Sequence, residues 1–267
     1  MKISFIVVFL VYLGCHDSKY SEFNKDYGKL FISTKYASGI IKTEYYFNPL
    51  THRGLIKEFN STGNSKFIVE TLDSSYNGLY EEFYGNGVIS VRGNYLKGMK
   101  EGEFKTFSKN EKLLIVSNFH ENKLFGDFME FDSVEIIKSY KFFNPTGELM
   151  LNVKYSKKGV PVDFSGQFSG FDIINNNSLH SKDTFLDTVF VPDPPGYSVE
   201  TYTSFTNYND SLNIQYFKVL FKSGKAVYEK AIDSSGHYVF RRKVIVRDDQ
   251  NEMVTQENNS INIYAGD

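Results

Sequence analysis

The sequence predicts an all-β protein in which an elongated antiparallel sheet of repeated β-hairpins precedes a small β-sandwich-like domain. Three observations lead to this prediction. The chain of 267 residues is rich in Phe (25) and Tyr (19), which favour strands. A pattern of glycines and aromatic residues recurs at a fixed interval in its first half. Its last part alternates short apolar stretches with polar turns and lacks the sustained 3.6-residue period of amphipathic helices.

Residues 1–14 are predicted to be a signal peptide. Lys2 precedes an apolar stretch from Ile3 to Leu13. A helix that crosses a bilayer needs about 20 apolar residues, whereas the apolar part of a secretory signal needs only about 7–15. Cys15, the only cysteine in the sequence, follows at the position where cleavage would expose it. No disulfide can therefore form within the chain.

The signal and its cysteine resemble the lipobox of bacterial lipoproteins, in which cleavage precedes a cysteine that carries a diacylglycerol. Tyr12 stands where the strictest form of the pattern has Leu, so the resemblance is to the looser lipoboxes. It implies lipidation at Cys15, followed by a tether over residues 15–27. The membrane is then a partner through the lipid anchor, and the expected location is the bacterial cell envelope, at the outer membrane. The alternative is a secreted protein whose cysteine is unmodified.

The repeat is defined by Gly54, Gly78, Gly102 and Gly126, which stand 24 residues apart. Large side chains recur two and five residues after these glycines, and a third column follows after seventeen. The aromatic members chosen as repeat residues are Tyr80, Phe83, Tyr95, Phe104, Phe107, Phe119, Phe128, Phe131 and Phe143. Three columns in register predict a repeat architecture over residues 28–165.

Each copy of the repeat is predicted to be one β-hairpin, because its length fits two strands with two short connections. Polar turn sequences such as Tyr84-Gly85-Asn86-Gly87 separate the aromatic stretches. We expect the glycines to leave room for large neighbours and to permit a bulge and a local bend in every copy. We also expect the aromatic residues to be core, so that replacing one of them by Ala costs about 3–5 kcal/mol.

The stretch 93–107 reads GNYLKGMKEGEFKTF and resembles the MORN-variant repeat. The resemblance is strongest over residues 76–131. It implies antiparallel hairpins in an elongated, curved sheet that associates with proteins or lipids and has no catalytic role. Related bacterial proteins are often described as the antitoxin component of a toxin–antitoxin system. That description fits an exported lipoprotein poorly, because a toxin in the cytoplasm could not be neutralised from outside it.

A linker is predicted over residues 166–196. The stretch 162–183 is rich in Gly, Ser and Asn, and the stretch VPDPPGY that follows contains three prolines. Beyond it, residues 197–267 are predicted to form the small β-sandwich-like domain, since short strands alternate there with polar turns such as KSGK and DSSG.

The sequence shows no pattern typical of a catalytic, metal or cofactor site. Its five histidines are scattered singly, and neither HExxH nor GxSxG is present. We therefore predict no catalytic residue, no metal and no cofactor, and a net charge of −2 gives no reason to expect nucleic acid as a partner. Glu82, Glu103 and Glu130 recur near the aromatic residues, which keeps a glycan-acting hydrolase open, since such enzymes use two carboxylates.

The sequence favours a lipid-anchored, non-catalytic binding or scaffold module for another macromolecule. The expected partner is a protein, with a glycan as a further candidate, because exposed aromatic rings can stack against peptides or sugars. The alternative is an immunity or antitoxin-like lipoprotein that neutralises a toxin, and the hydrolase is a third reading.

Overall fold

The computed structural model of the protein describes residues 24–174, 179–180, 182–210, 214–220 and 225–266. The predicted signal peptide and Cys15 lie outside these residues. Helical structure in the described ranges consists of a single-turn helix α1 (Asn24–Tyr27) and a 3-10 turn (Tyr208–Asp210). Neither is long or apolar enough to cross a bilayer. The described chain is otherwise strands and turns, which confirms the predicted all-β class.

The first sheet contains 12 strands arranged in chain order, each antiparallel to the next. They are β1 (Lys29–Lys35), β2 (Ile41–Phe47), β3 (Arg53–Phe59), β4 (Ser65–Leu72), β5 (Ser75–Phe83), β6 (Ile89–Leu96), β7 (Met99–Phe107), β8 (Leu113–His120), β9 (Lys123–Phe131), β10 (Ile137–Phe143), β11 (Leu149–Tyr155) and β12 (Pro161–Gly166). The sheet is therefore a continuous array of hairpins, as the repeat predicts.

Two kinds of turn alternate from β3 to β10 and produce the period of the repeat. The connections of β2 to β3 and of β10 to β11 are longer turns that begin at Asn48 and Asn144. At one end, five-residue turns begin at Tyr36, Asn60, Tyr84, Ser108, Asp132 and Ser156. In each of them the first N–H donates to the fifth carbonyl at 2.8–2.9 Å. At the other end, two-residue turns such as Lys97-Gly98 have positive φ at both positions, 51° and 82°. Such turns match the twist of the strands that they join. Two strands and one turn of each kind thus make up the 24-residue unit.

The repeat glycines lie opposite the third column of large residues on the next strand. Gly78 pairs with Tyr95 and Gly102 with Phe119. The same pairing joins Gly54 to Thr71 and Gly126 to Phe143. Next to Gly78, Gly102 and Gly126, the strand that contains the glycine has extra residues that find no partner on the preceding strand. The expected bulge is therefore present in these copies.

Backbone conformation is the main reason for glycine at these bulges. Gly102 and Gly126 have φ of +73° and +68°, and a Cβ on either residue would meet nothing within 4 Å. Space for a neighbouring ring is provided instead by Gly93, where a Cβ would lie 2.4 Å from Cδ1 of Phe104. The expectation that the repeat glycines make room is thus wrong for Gly102 and Gly126, where the left-handed φ is what favours glycine.

Two smaller sheets pack face to face and form the second domain, as predicted. One has the strand order β13 (Phe171–Ile174), β15 (Thr184–Phe190) and β18 (Lys225–Ala231). The other has the order β14 (Leu179–His180), β20 (Met253–Gly266), β19 (Gly236–Arg247), β16 (Ser198–Asn207) and β17 (Phe217–Val219). Phe185, Phe240 and Ile263 are buried between the two sheets. Because β13, β14 and β15 belong to this domain, the prediction of a linker over 166–196 is wrong for that segment.

The Gly, Ser and Asn content of this segment hides its short strands in the sequence. In β15 the sequence TFLDTVF alternates buried and half-buried residues, and Phe185 and Val189 are fully buried. Alternation of this kind is the mark of a strand with one covered face. One of its buried positions is Asp187, which makes the apolar pattern less visible in the sequence.

One face of the first sheet, here called the inner face, is covered at both of its ends. At the C-terminal end Tyr140, Phe142 and Val153 form one buried cluster with Val244 and Val246 of β19. At the N-terminal end Tyr27 of α1 packs on Leu55 and Ile68, and the Tyr27 hydroxyl donates to Glu70 Oε1 at 2.7 Å. The last residues of the predicted tether, 24–27, are therefore part of the folded structure. The opposite side of the sheet is called the outer face.

Candidate binding surfaces

A continuous row of aromatic rings crosses the outer face and is here called the aromatic strip. It contains Phe67, Tyr76, Tyr80, Tyr95, Phe104 and Phe119, from β4 to β8, with neighbouring ring centroids 5.2–6.0 Å apart. Most of these contacts are edge-to-face, which is a favourable arrangement of aromatic quadrupoles. A second pair, Phe128 and Phe143, continues the outer face at a centroid distance of 6.2 Å.

The repeat aromatics are half-buried, with one exception. Phe104 is 3% exposed and belongs to the core. The others are partly open to solvent: Tyr80, Phe83, Tyr95, Phe107, Phe119, Phe128, Phe131 and Phe143. The expectation that all of them are core is therefore wrong. The buried clusters of this sheet lie on its inner face, where Phe83 packs beside Tyr27, Leu55 and Ile68 but remains half-buried, whereas the rings of the aromatic strip lie on the outer face. The rings cover one another but leave apolar area open to a partner.

Polar groups beside the strip are few and specific. Lys100 Nζ lies 5.1 Å from the ring centroid of Phe104 and 5.0 Å from that of Phe119, which places a cation over both rings. The Tyr80 hydroxyl donates to Glu82 at 3.2 Å. Burial raises the pKa of Tyr80 and of Tyr95 above the ordinary value. Both phenols stay neutral at physiological pH and keep a proton to donate.

The three glutamates singled out in the sequence do not form a carboxylate pair. Glu82 and Glu130 belong to β5 and β9 of the outer face, four strands apart. That separation is about 19 Å, whereas glycosidases need about 5–9.5 Å. Glu103 projects from the inner face, beside Lys105, whose Nζ lies 2.7 Å from its Oε1.

A cleft of about 420 Å³ opens on the inner face where the second domain ends, and is here called the junction cleft. Its apolar lining is Val116, Phe125, Met129, Phe142 and Phe190, and its polar lining includes Glu101, Glu103, Asn118, His120 and Asp127. The second domain covers β10 and β11 but leaves β7 open, and Phe190 at the end of β15 marks its border. Phe125 meets Phe190 there at 5.2 Å between centroids.

The polar side of the junction cleft consists mainly of hydrogen-bond acceptors. Asp127 accepts a short hydrogen bond from the Tyr140 hydroxyl, and burial raises the pKa of Asp127 above its ordinary value. Asn118 Nδ2 donates to the Asp127 carbonyl at 3.2 Å, which leaves its Oδ1 as an acceptor. Burial opposes ionisation of Glu101. Hydrogen bonds from His120 and the Glu121 N–H outweigh that effect and lower the pKa of Glu101.

The sequence did not reveal this cleft, because Phe190 comes from a strand far along the chain from β7 to β10, which supply the other lining residues. One local signal was available. Phe125 occupies the repeat position that is Arg53, Asn77 and Glu101 in the earlier copies. A single aromatic residue at an otherwise polar position indicates that this copy meets another part of the molecule.

A cluster of charged groups is buried inside the second domain. Arg242 of β19 is 2% exposed and forms an ion pair with Asp172 of β13. Burial and the neighbouring Asp172 carboxylate raise the pKa of Asp187 to about 7. The cluster lies between the two sheets and lines neither the junction cleft nor the aromatic strip, so it belongs to the core of the domain. Within the described ranges, no three His, Cys, Asp or Glu side chains are grouped in a way that could hold a metal ion.

Comparison with known proteins assigns no family. No family model matches the sequence, and no curated protein matches it. Among solved structures, the chain resembles a mutant of S. aureus TarM in complex with Fondaparinux, alpha-GlcNAc-glycerol and UDP. The match covers 50% of this chain and 24% of that chain at 7% identity, with a TM-score of 0.21. A TM-score this low carries no argument about fold or function.

Proposed function

We propose that the protein is a lipid-anchored component of the bacterial cell envelope whose MORN-like hairpin sheet acts as a non-catalytic binding or scaffold module. The aromatic strip is the observation that carries this proposal. Its rings run across five neighbouring strands, β4 to β8, on a face that remains partly open to solvent. A contiguous row of half-buried rings leaves apolar area that a partner can cover, and aromatic residues are enriched in protein interfaces.

The anchor is proposed at Cys15, from the signal peptide and the cysteine that ends it. Several acyl chains on one residue give stable attachment, since each buried CH₂ contributes about 0.8 kcal/mol. The first strand of the sheet begins at Lys29, so few residues of sequence separate the proposed anchor from the sheet. A partner held on the strip is thereby kept close to the membrane surface.

Site-specific photo-crosslinking in cells tests the proposal. A photoreactive amino acid in place of Lys100 lies beside Phe104 and Phe119 of the strip. The matched control places it at Glu229, an exposed position of β18 in the second domain. We expect a discrete crosslinked species from position 100 that is absent at 229. If both positions give the same products, or neither gives any, the strip is not the binding surface. A toxin as the crosslinked species would favour the immunity role.

The anchor is tested separately by fractionation of cells that express the wild type or Cys15→Ser. We expect the wild type in the membrane fraction, labelled by a radioactive fatty acid, and the variant unlabelled. A wild type that takes up no label would contradict the lipid anchor and leave the crosslinking result intact.

A further inference from the structure

Among the 12 strands of the first sheet, β1 alone is exposed at every residue. Its apolar residues Leu30, Phe31 and Ile32 follow one another and are 49%, 66% and 48% exposed. Within the described residues, β1 pairs only with β2, so its other edge is open. Edge strands are usually protected by charged side chains, proline or a covering segment, whereas β1 has lysine only at its two ends. An exposed apolar stretch on an open edge indicates a contact with another component.

One more exposed apolar residue lies beside the start of β1. Leu50, in the turn between β2 and β3, is 92% exposed. Lys29 pairs with Phe47 at the end of β2. Asn48 Nδ2, in the turn that follows, donates to the Asp26 carbonyl at 3.3 Å. The turn is therefore in contact with the chain that enters β1, at one corner of the sheet. The apolar residues there are here called the apolar corner: Leu30, Phe31, Ile32 and Leu50.

The apolar corner exposes side chains on both faces of the sheet. Leu30 is directly opposite Tyr46. Ile32 is opposite Tyr45, the preceding residue of β2. Because successive side chains of a strand point to opposite faces, Leu30 and Ile32 lie on opposite faces as well. The Phe31 ring lies 6.1 Å from the Tyr45 ring, between centroids, and so shares the face of Ile32. A flat partner on one face would leave part of the corner exposed.

The headgroup boundary of a bilayer surrounds such a corner on every side. Interfacial apolar groups are buried about 5–10 Å into this boundary, where water and headgroups still form hydrogen bonds with the open edge of the sheet. β1 contains Lys29 and Lys35 and no acidic residue. Both lysines suit anionic lipid headgroups, and their long side chains can extend to the headgroups while their methylene stems lie along apolar surface.

The length of chain before β1 also favours the membrane. Residues 16–28 separate Cys15 from Lys29, and a chain of that length spans at most about 50 Å. Contact between the apolar corner and the membrane that holds the anchor is therefore an intramolecular event, for which a small apolar surface suffices. A second copy of the chain is the competing occupant. In an antiparallel pair of two β1 strands centred on Ile32, Lys29 of each copy would lie opposite Lys35 of the other, and like charges in that position are destabilising.

We infer that the apolar corner is a second membrane contact, which dips into the headgroup boundary of the bilayer that holds the anchor. The inference rests on the proposed anchor at Cys15 and adds an orientation to it. The first sheet stands with β1 at the membrane and β12 away from it. The corner is separate from the aromatic strip, which begins at β4, so the strip stays open to a partner.

Fluorescence in vesicles tests this orientation. The chain contains no tryptophan, so one introduced tryptophan is the sole reporter. Phe31→Trp places it in β1, and the matched control Val162→Trp places it in β12, the opposite edge strand, where Val162 is 63% exposed. Residues 15–267, the chain that the proposed cleavage leaves, are coupled through the thiol of Cys15 to a maleimide phospholipid. The vesicles contain phosphatidylcholine and phosphatidylglycerol, with or without brominated acyl chains. We expect bromine to quench the tryptophan at position 31 at least about twofold and to leave that at position 162 unchanged.

Two further variants make the result decisive. Leu30→Ser and Ile32→Ser, introduced together with Phe31→Trp, should weaken the quenching severalfold, because they remove apolar side chains from both faces of the corner. Val134→Ser is the matched control, since Val134 is 66% exposed in a turn remote from β1. It should leave the quenching unchanged. Circular dichroism should show the same strand content in every variant, because the substituted side chains are exposed.

Absent quenching at position 31, equal quenching at 31 and 162, or equal effects of the serine variants would overturn the inference. A blue shift at position 31 without quenching, which grows with the surface density of the protein, would show pairing of two copies and would overturn it too. Coupling through the Cys15 thiol replaces lipidation in cells. A chain that takes up no fatty acid in cells contradicts the anchor, whereas an unquenched tryptophan at position 31 contradicts the contact of β1 alone.

Discussion

One row of directly opposed residues crosses the inner face of the first sheet, and its two halves differ in chemistry. In β5, β6 and β7 the row consists of Glu81, Arg92 and Lys105. In β8 to β12 it continues with Val116, Met129, Tyr140, Val153 and Phe164. The apolar half is where the second domain packs, and the charged half borders solvent. Equivalent positions of one repeat thus carry opposite chemistry according to what covers them.

The comparison separates two kinds of information in a repeat. The turns and the cross-strand pairs between glycines and aromatic residues recur in both halves, because they define the backbone. The chemistry of the inner row does not recur, because it depends on whether another part of the molecule packs on that copy, and only some copies are covered in this way. In the charged half, Glu81 is 3% exposed and accepts from Arg92 Nε at 2.8 Å and from Arg92 Nη2 at 2.7 Å. Both contacts end on Oε1 of Glu81, and charge-assisted hydrogen bonds of this kind stabilise a carboxylate without an apolar cover.

The largest loss of stability is expected when a charge is placed in the apolar half of the inner row. Val153→Lys puts an ammonium group where a fully buried side chain packs against the second domain. We expect a loss of at least about 5 kcal/mol in the free energy of unfolding, since packing is lost and a charge is buried without a partner. Urea unfolding followed by circular dichroism measures it. A loss below about 2 kcal/mol would mean that the domain does not cover this position in solution.

Two phenylalanines sharpen the contrast between the covered inner face and the open outer face. Phe142 is 2% exposed in the buried cluster with Val244 and Val246, whereas Phe119 is half-buried in the aromatic strip. Phe142→Ala should cost about 3–5 kcal/mol. Phe119→Ala should cost about 1–2 kcal/mol, because less area leaves water when the protein folds. Chemical unfolding of both variants under one condition is the measurement, and equal losses would contradict the difference in burial.

Asp187, which is buried in the second domain, should also make the free energy of unfolding depend on pH. The folded-state pKa of Asp187, about 7, lies above the ordinary carboxyl value of about 3.9. The neutral acid therefore stabilises the fold fully below about pH 4, and this stabilisation is lost as pH rises through 7. Asp187→Asn should remove this pH-dependent loss of stability, because the asparagine side chain does not ionise. Relative to the variant, the wild type should lose on the order of 2 kcal/mol between pH 4 and 8.

Glu130 on the outer face is the matched control for this titration. The hydrogen bond from Ser139 lowers the pKa of Glu130. Its contribution is present above the ordinary carboxyl pKa and is lost as pH falls, so the difference between wild type and Glu130→Gln should have the opposite sign of pH dependence. Unfolding curves at several pH values measure both variants. The same sign for both would show that Asp187 is not buried as an acid.

The sequence predicts the repeated hairpins of this molecule well, but it predicts poorly which side chains are buried by other parts of the molecule. The columns at Gly78, Gly102 and Tyr95 predicted the hairpins, because turn geometry and cross-strand pairing are local and leave a periodic trace. Burial depends on a second domain contributed by distant strands. The columns therefore could not show that Tyr140 and Val153 are core. The junction cleft was missed for the same reason, since Phe125 and Phe190 meet only in the folded chain. Phe104 is buried for a different reason, since its ring packs over Gly93 on the outer face, between Tyr95 and Phe119.

The smallest expected effect comes from the reverse exchange, Lys105→Val. Lys105 is directly opposite Val116, so the change extends the apolar half of the inner row by one strand. Its ion pair with Glu103 has side chains 39% and 52% exposed, and such pairs contribute about 0–1 kcal/mol. Valine has the higher strand propensity, which offsets part of that loss. The free energy of unfolding should change by less than about 0.5 kcal/mol.

This small effect is informative because Lys105 and Val153 occupy equivalent positions of the repeat. If burial under the second domain is all that distinguishes the two positions, valine is tolerated at 105 and lysine is not tolerated at 153, although the backbone is the same at both. Unfolding of Lys105→Val, measured beside Val153→Lys, decides the point. A loss above about 2 kcal/mol at position 105 would mean that the ion pair is an essential part of the sheet. The charged half would then be a structural feature in its own right, and not the part of the repeat that lacks a neighbour.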